Sequence, residues 1–214
     1  MTAITNRRRG RAREILECQG RTPFDFQAAA VAECLATIDM RGQLLVEAPT
    51  GSGKTLISQL AVGMLAEELR DRLPRVLVVV PSRSLLLQHV EEAAWLGPSF
   101  GLAIHRLDPE APMSLVLGVL RGFGVVHTTP ITVKNRLSAL PNGQSILANF
   151  DVAIFDEIDT YLTVDELRER KDTWPTLKAC REAGLPVIGF TGTHFTKKQE
   201  AAWSAYGFRR VRLF

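Results

Sequence analysis

Cysteine is scarce in this sequence, and its few histidines are scattered. The 214 residues include three cysteines, at positions 18, 34 and 180, and four histidines. An odd number of widely separated cysteines forms neither a disulfide framework nor a metal-ligand pair of the C-x-x-C type. We therefore expect no structural zinc site and a reducing, intracellular compartment.

Long hydrophobic runs are also absent. No apolar segment approaches the roughly 20 residues that a helix needs to cross a bilayer, and no apolar core follows the basic N-terminus as it would in a signal peptide. The protein is therefore expected to be cytoplasmic, with no membrane partner. The net charge of +3 and the pI of about 8.9 permit contact with nucleic acid but do not by themselves indicate it.

The first 20 residues differ in composition from the rest of the chain. Five arginines fall between residues 7 and 13. They could contact nucleic-acid phosphates, or they could belong to a solvated and frayed terminus, and the sequence does not separate these alternatives. We assign residues 1–20 to a basic N-terminal extension and residues 21–214 to one folded domain, because a chain of this length suits a single buried core.

What the sequence does contain is an alternation of apolar runs and helical patterns. The runs cover residues 44–48, 76–80, 102–104, 125–126, 151–155, 187–190 and 210–214. They are continuously apolar, which is typical of parallel strands buried on both faces. The segments 56–73 and 85–96 have helical spacing. This alternation predicts an α/β fold with a doubly wound, mostly parallel sheet of about seven strands flanked by helices, and ligands at the carboxyl ends of the strands.

A phosphate-binding motif lies between the first predicted strand and the first predicted helix. Residues 48–55 read Ala-Pro-Thr-Gly-Ser-Gly-Lys-Thr, which is a P-loop in its required context. Lys54 can reach the β- and γ-phosphates of ATP, and the Thr55 hydroxyl can bind Mg²⁺. The alternative is a glycine-rich turn that binds nothing. The candidate nucleotide contacts in this loop are Thr50, Gly51, Ser52, Gly53, Lys54 and Thr55.

An acidic motif follows a later apolar run. Residues 156–159 read Asp-Glu-Ile-Asp, and a carboxylate at a strand end beside a P-loop is where a Mg²⁺ ligand is expected. We predict that Asp156 holds Mg²⁺ and that Glu157 polarises the attacking water as general base. An acidic helix N-terminus would be the plainer interpretation, and the P-loop argues against it.

The two motifs together resemble those of superfamily 2 DExD/H-type helicases, in the first, N-terminal RecA-like ATPase domain. Four shorter segments appear in the order that this family has. The segments are Pro-Phe-Asp-Phe-Gln at 23–27, Pro-Ser-Arg-Ser-Leu at 81–85, Thr-Thr-Pro at 128–130 and Thr-Gly-Thr at 191–193. The resemblance covers residues 21 to about 195, and Gly192 departs from the alanine that is usual in the last segment.

The resemblance implies roles for these residues. Gln27 would bind the adenine edge, with Phe24 stacking nearby, and Asp159, Thr191 and Thr193 would couple the nucleotide site to strand binding. Nucleic-acid phosphates would be contacted without reading of sequence, although each contact residue could equally be an ordinary loop residue. The candidate nucleic-acid contacts are Ser82, Arg83, Thr128, Thr129 and Pro130. We expect DNA more than RNA as the partner.

The resemblance also implies a second RecA-like domain, which supplies an arginine finger. We find no such motif in this chain and expect weak ATP hydrolysis without that domain. Either an excised fragment or one subunit of a split motor would fit. A nucleotide-dependent interaction module that controls assembly without unwinding is an alternative function, and a motor that pumps duplex DNA is another; the coupling and track residues favour a motor over the module.

Overall fold

The computed structural model describes residues 2–138, 146–161 and 174–213. The turn predicted near residues 141–143 lies outside these ranges. The α-helices within them are α1 (Ala3–Cys18), α2 (Asp25–Asp39), α3 (Lys54–Glu68), α4 (Arg83–Glu92), α5 (Leu96–Phe100), α6 (Met113–Arg121), α7 (Pro130–Ser138), α8 (Trp174–Glu182) and α9 (Lys197–Ala205). A 3₁₀ turn covers Ile158–Tyr161. None of the described helices is long and apolar enough to cross a membrane.

The strands form one sheet with the order β3-β4-β2-β5-β6-β1-β7, and every neighbouring pair is parallel. The strands are β1 (Gln43–Glu47), β2 (Arg75–Val79), β3 (Ile104–Arg106), β4 (Gly124–Thr128), β5 (Val152–Phe155), β6 (Val187–Thr191) and β7 (Arg209–Arg212). The predicted fold class is confirmed. Because all strands run the same way, the loops after β1, β6 and β5 lie side by side at one edge, and those after β2 and β4 continue that row.

The core lies on both faces of the sheet. Alternate residues of β1 point to opposite faces: Leu44 and Val46 pack with the helices α1 to α4, whereas Leu45 packs on the other face with residues of α6, α8 and α9. Both sets are fully buried. A strand with two buried faces needs apolar residues at every position, which explains the continuous runs in the sequence.

Helix α1 packs on the same core as the rest of the domain. Ala12 and Leu16 have no exposed surface, and Arg8 is 6% exposed. The Arg8 guanidinium pairs with Glu68 of α3 at 2.6 Å and with Asp39 of α2 at 2.8 Å. This buried face excludes a frayed terminus for residues 3–18.

Candidate nucleotide-binding site

The P-loop joins β1 to α3 at the carboxyl edge of the sheet. Its turn needs glycine at two positions, since Gly51 and Gly53 have φ of 81° and 82°, where a side chain is strained. A β-carbon on Gly53 would also lie 2.7 Å from Nε2 of Gln27. The loop leads directly into the N-terminus of α3. The unpaired N–H groups and the helix dipole at this N-terminus favour the binding of an anion.

A cavity of about 610 Å³ opens beside this loop. Most of the predicted P-loop residues line it, together with Asp156 and Glu157. Apart from Leu85, its other walls come from residues that the sequence did not single out. The full lining is Arg21, Thr50, Gly51, Gly53, Lys54, Thr55, Leu56, Gln59, Leu85, Gln88, Glu92, Asp156 and Glu157. The volume is within the range of small-molecule sites.

Lys54 and Glu157 meet across the cavity. The Lys54 ammonium lies 3.3 Å from Oε1 of Glu157 and 3.5 Å from the carbonyl oxygen of Ala48. The Lys54 side chain is 10% exposed and the Glu157 side chain 34% exposed. The two residues are far apart in sequence, and the sheet order β5-β6-β1 brings them together. The main positive and negative charges predicted for catalysis therefore share one site.

Asp156 lies where β5 ends, and its carboxylate contacts a histidine that the sequence did not identify. Nε2 of His89, in α4, lies 3.1 Å from Oδ2 of Asp156. A second buried histidine, His127 of β4, has its ring centroid 6.3 Å from that of His89. Burial, and then the proximity of His89, lowers the pKa of His127 to about 3, so this ring is neutral at physiological pH. A lone histidine inside a helical pattern carries no sequence signal for this role.

The predicted coupling residues are hydrogen-bonded to the acidic motif. The Thr191 hydroxyl donates to Oδ1 of Asp159 at 2.7 Å, and the Thr193 amide donates to the Thr191 hydroxyl at 3.0 Å. The Gly192 amide lies 3.4 Å from Oε2 of Glu157. The loop after β6 is thus hydrogen-bonded to both carboxylates of the acidic motif that follow Asp156, and the coupling role stays a prediction.

The structure gives a local explanation for glycine at position 192, where related sequences usually have alanine. A β-carbon there would lie 3.1 Å from the Lys54 ammonium and 3.4 Å from the Thr50 hydroxyl. Lysine is flexible enough to yield by a few tenths of an ångström, so glycine gives room here without being strictly required.

Gln27 is buried and holds the P-loop. Its Nε2 donates to the carbonyl oxygen of Ser52 at 3.0 Å. Phe24, which precedes α2, is 55% exposed and stacks on Phe26 with ring centroids 5.6 Å apart. An exposed aromatic ring beside a buried amide suits a purine base, although neither side chain lines the cavity described above. The adenine contact stays a prediction.

Two of the predicted nucleic-acid contacts begin α4. The Ser82 hydroxyl caps this helix by accepting from the Leu85 amide at 3.3 Å. Arg83 is exposed, and its guanidinium lies 3.5 Å from Glu110. An exposed ion pair of this kind is weak, so Arg83 remains available to a phosphate.

The other three predicted contacts are buried. Thr128 is fully buried, and its hydroxyl lies 3.4 Å from the Leu107 carbonyl. Thr129 shares a hydrogen bond of 2.9 Å with Thr132, and Pro130 is buried at the start of α7. Their side chains are therefore not exposed to solvent. Contact with nucleic acid at these positions stays a prediction. It would have to be made by backbone groups, or the loop would have to rearrange to expose the side chains.

Comparison with known proteins identifies the family. The family model for the DEAD/DEAH box helicase matches residues 24–201. The chain is 31% identical over 175 residues to the probable ATP-dependent RNA helicase DDX52 of Mus musculus, covering 80% of this chain and 28% of that protein. It is 31% identical over 148 residues to the ATP-dependent RNA helicase DeaD of Mycobacterium tuberculosis, covering 67% of this chain and 24% of that protein. The chain thus spans about a quarter of these relatives' length.

Solved structures support the fold. The Hef helicase domain of Pyrococcus furiosus superposes with a TM-score of 0.67 at 22% identity, covering 94% of this chain and 39% of that one. The yeast DEAD-box splicing factor Prp28 superposes with a TM-score of 0.69 at 18% identity, covering 94% of this chain and 48% of that one. The family match takes in the P-loop, the acidic motif and the strands β1 to β6, and on this basis the chain belongs to the DEAD/DEAH box helicase family.

Proposed function

We propose that this domain binds ATP with Mg²⁺ and, together with a second RecA-like domain, couples ATP hydrolysis to movement on nucleic acid. One observation carries the proposal: the P-loop lysine and the general-base candidate of the acidic motif meet at 3.3 Å within one cavity. Ion pairs inside clefts also occur for structural reasons, but this pair joins the two motifs that the chemistry requires.

Phosphate binding follows from the loop. The N–H groups of the P-loop and of the first turn of α3 would hold the phosphates, and Lys54 would leave Glu157 to neutralise the β- and γ-phosphates. Thr55 and Asp156 line the same cavity, and a hydroxyl and a carboxylate are the oxygen ligands that Mg²⁺ accepts alongside phosphates and water. Magnesium bound there would neutralise charge on the phosphates.

Glu157 then has a defined task. Its carboxylate is freed when Lys54 turns to the phosphates, and it would accept the proton of the water that attacks the γ-phosphate. The Gly192 amide contacts the same carboxylate and would keep it aimed at the water. Thr191 and Thr193 would pass movement of this loop to Asp159.

RNA is the nucleic acid that we place first. The curated relatives named above are RNA helicases, and the sequence-based preference for DNA has no support among them. Ser82 and Arg83 offer a hydroxyl and a cation at the carboxyl edge of the sheet, which suits contact with a phosphate backbone and not with bases.

A second RecA-like domain completes this proposal. The chain covers 28% of its mouse relative, which leaves ample length there for another domain. An arginine finger supplied from a second domain contributes about 10³–10⁵ in rate in related P-loop enzymes. Hydrolysis by this domain alone would accordingly be slow.

Nucleotide binding by the Lys54→Ala variant tests the proposal. Removal of the ammonium should abolish calorimetrically detectable binding of ATP with Mg²⁺, because the main side-chain charge at the phosphates is lost. Lys178→Ala is the matched control: Lys178 is exposed and lies with Gln43 at the opposite edge of the sheet. Binding by Lys54→Ala equal to that of the control would refute the assignment.

A further inference from the structure

His89 stands out among the buried polar residues because it contacts the predicted magnesium carboxylate and belongs to none of the motifs. It lies in the last turn of α4 and is 5% exposed. Its Nε2 lies 3.1 Å from Oδ2 of Asp156. Since an ionised carboxylate can only accept hydrogen bonds, Nε2 must carry the hydrogen and donate it.

The contact is specific to one oxygen of the carboxylate. Among the residues that the structure describes, no other side chain bonds to the carboxylate of Asp156. Oδ2 is thus held from the α4 side, while Asp156 also faces the cavity beside the P-loop. A carboxylate with one oxygen fixed has less rotational freedom to lose when its other oxygen binds a ligand.

The histidine is itself held in place by its surroundings. The ring of His127 lies 6.3 Å away at an interplanar angle of 58°, and Leu86, one turn earlier in α4, is fully buried. Helix α4 also contributes Leu85, Gln88 and Glu92 to the cavity wall. The donor therefore belongs to a helix that packs on the sheet and borders the nucleotide site.

We propose that His89 is a positioning residue that fixes the Asp156 carboxylate through Oδ2 and so presents Oδ1 to magnesium-bound nucleotide. The proposal rests on the function proposed above. A plain structural role is the competing explanation, since buried polar groups are generally hydrogen-bonded. The two differ in one respect: a structural bond changes the stability of the domain, whereas a positioning bond also changes how strongly magnesium contributes to nucleotide binding.

The experiment measures magnesium dependence and not hydrolysis. Binding of a fluorescent ADP analogue to the full chain is titrated with Mg²⁺, and again in the presence of a chelator. The variants are His89→Leu, which removes the donor, His89→Gln, whose amide reaches about as far as Nε2, and His89→Asn, whose amide falls short of it. Leu35→Val is the control, because it loosens the packing of α2 in the same core without touching α4 or the bond.

His89→Leu should raise the magnesium midpoint about 10-fold, the lower end of the effect of outer-shell partners on metal affinity, because phosphates supply other ligands. Nucleotide affinity in chelator should stay unchanged. His89→Gln should restore the midpoint, and Leu35→Val should leave it unchanged despite a loss of stability of about 1 kcal/mol.

A midpoint for folded His89→Leu within about twofold of wild type would overturn the proposal. If that variant does not fold, the Asn and Gln variants decide: equal midpoints overturn the proposal, and a higher midpoint for Asn supports it. A wild-type chain that binds nucleotide without any magnesium dependence would overturn both this inference and the magnesium site of the proposed function, so the two failures are distinguishable.

Discussion

Replacement of Glu157 by glutamine should make nucleotide binding tighter while it removes catalysis. The Lys54 ammonium pairs with Oε1 of Glu157 at 3.3 Å, so phosphates must compete with this carboxylate for the lysine. Glutamine keeps the shape of the side chain and can still accept from the Gly192 amide, but it releases Lys54 and removes a negative charge from the phosphate site.

The size of the gain follows from the exposure of the pair. Lys54 is 10% exposed and Glu157 is 34% exposed, which places the pair between a surface ion pair and a buried one. Surface pairs contribute about 0.2–1 kcal/mol, and the upper end applies here. We expect ATP to bind about fivefold more tightly to Glu157→Gln, corresponding to about 1 kcal/mol.

Calorimetry with a non-hydrolysable ATP analogue and Mg²⁺ measures this difference. Glu92→Gln is the matched control, since Glu92 lines the same cavity and loses the same charge, but it bonds to Gln88 and not to Lys54. In the assembled motor, Glu157→Gln should lower the rate of hydrolysis by about 10²–10⁴-fold. Affinity no tighter than that of Glu92→Gln would refute the competition for Lys54, and unchanged hydrolysis would refute the role of Glu157 as base.

Three further outcomes can be checked. Arg8→Ala should lower the free energy of unfolding in urea by about 2 kcal/mol. This loss is smaller than for a fully buried ion pair because the carboxylate partners of Arg8 are partly exposed. Arg13→Ala removes an exposed ion pair and should change the free energy of unfolding by under about 0.5 kcal/mol. The free energy of unfolding should fall as pH is lowered from 6.5 towards 3, because the unfolded chain lets His127 take up a proton that the buried ring does not bind. His127→Gln should flatten this dependence of stability on pH. A pH dependence as steep in His127→Gln as in the wild type would contradict this role of His127. Arg83→Ala should weaken RNA binding equally for unrelated sequences and reduce the salt slope by about one; a sequence preference lost with Arg83 would count against a phosphate contact.

Much of the fold could be predicted because a parallel sheet covered on both faces requires continuous apolar runs in the sequence. The run predicted at residues 44–48 is β1 at Gln43–Glu47, and the run at 76–80 is β2 at Arg75–Val79. Both are continuous because each strand has two buried faces. The P-loop and the acidic motif are equally local signals, since each fits within one strand end and the following turn.

The remaining features depend on contacts between distant residues. The arginines of residues 7–13 read as a free basic segment, yet Arg8 is buried against carboxylates of α2 and α3. His89 looks like any polar residue of an amphipathic helix, and only the packing of α4 on β3 and β4 brings it to Asp156 at the end of β5. The hydroxyls of Thr128 and Thr129 resemble loop donors in sequence, but both are buried, the first against the Leu107 carbonyl and the second against Thr132 of α7. None of these outcomes leaves a periodic or compositional trace.

The backbone of Glu157 shows how the local signal and the tertiary requirement conflict. Its φ is 46°, in the left-handed region, where a non-glycine residue costs about 1–2 kcal/mol. The amide and hydroxyl of Thr160 both bond to the Glu157 carbonyl, at 2.9 and 2.8 Å, and hold the turn in this shape. The turn swings the side chain from the end of β5 towards Lys54 and the Gly192 amide. Glycine would adopt this backbone without the penalty, but it would remove the carboxylate that we propose as the base. The unusual backbone therefore supports the role proposed for Glu157: the domain keeps a carboxylate where its backbone favours glycine, as expected if that carboxylate acts as the base.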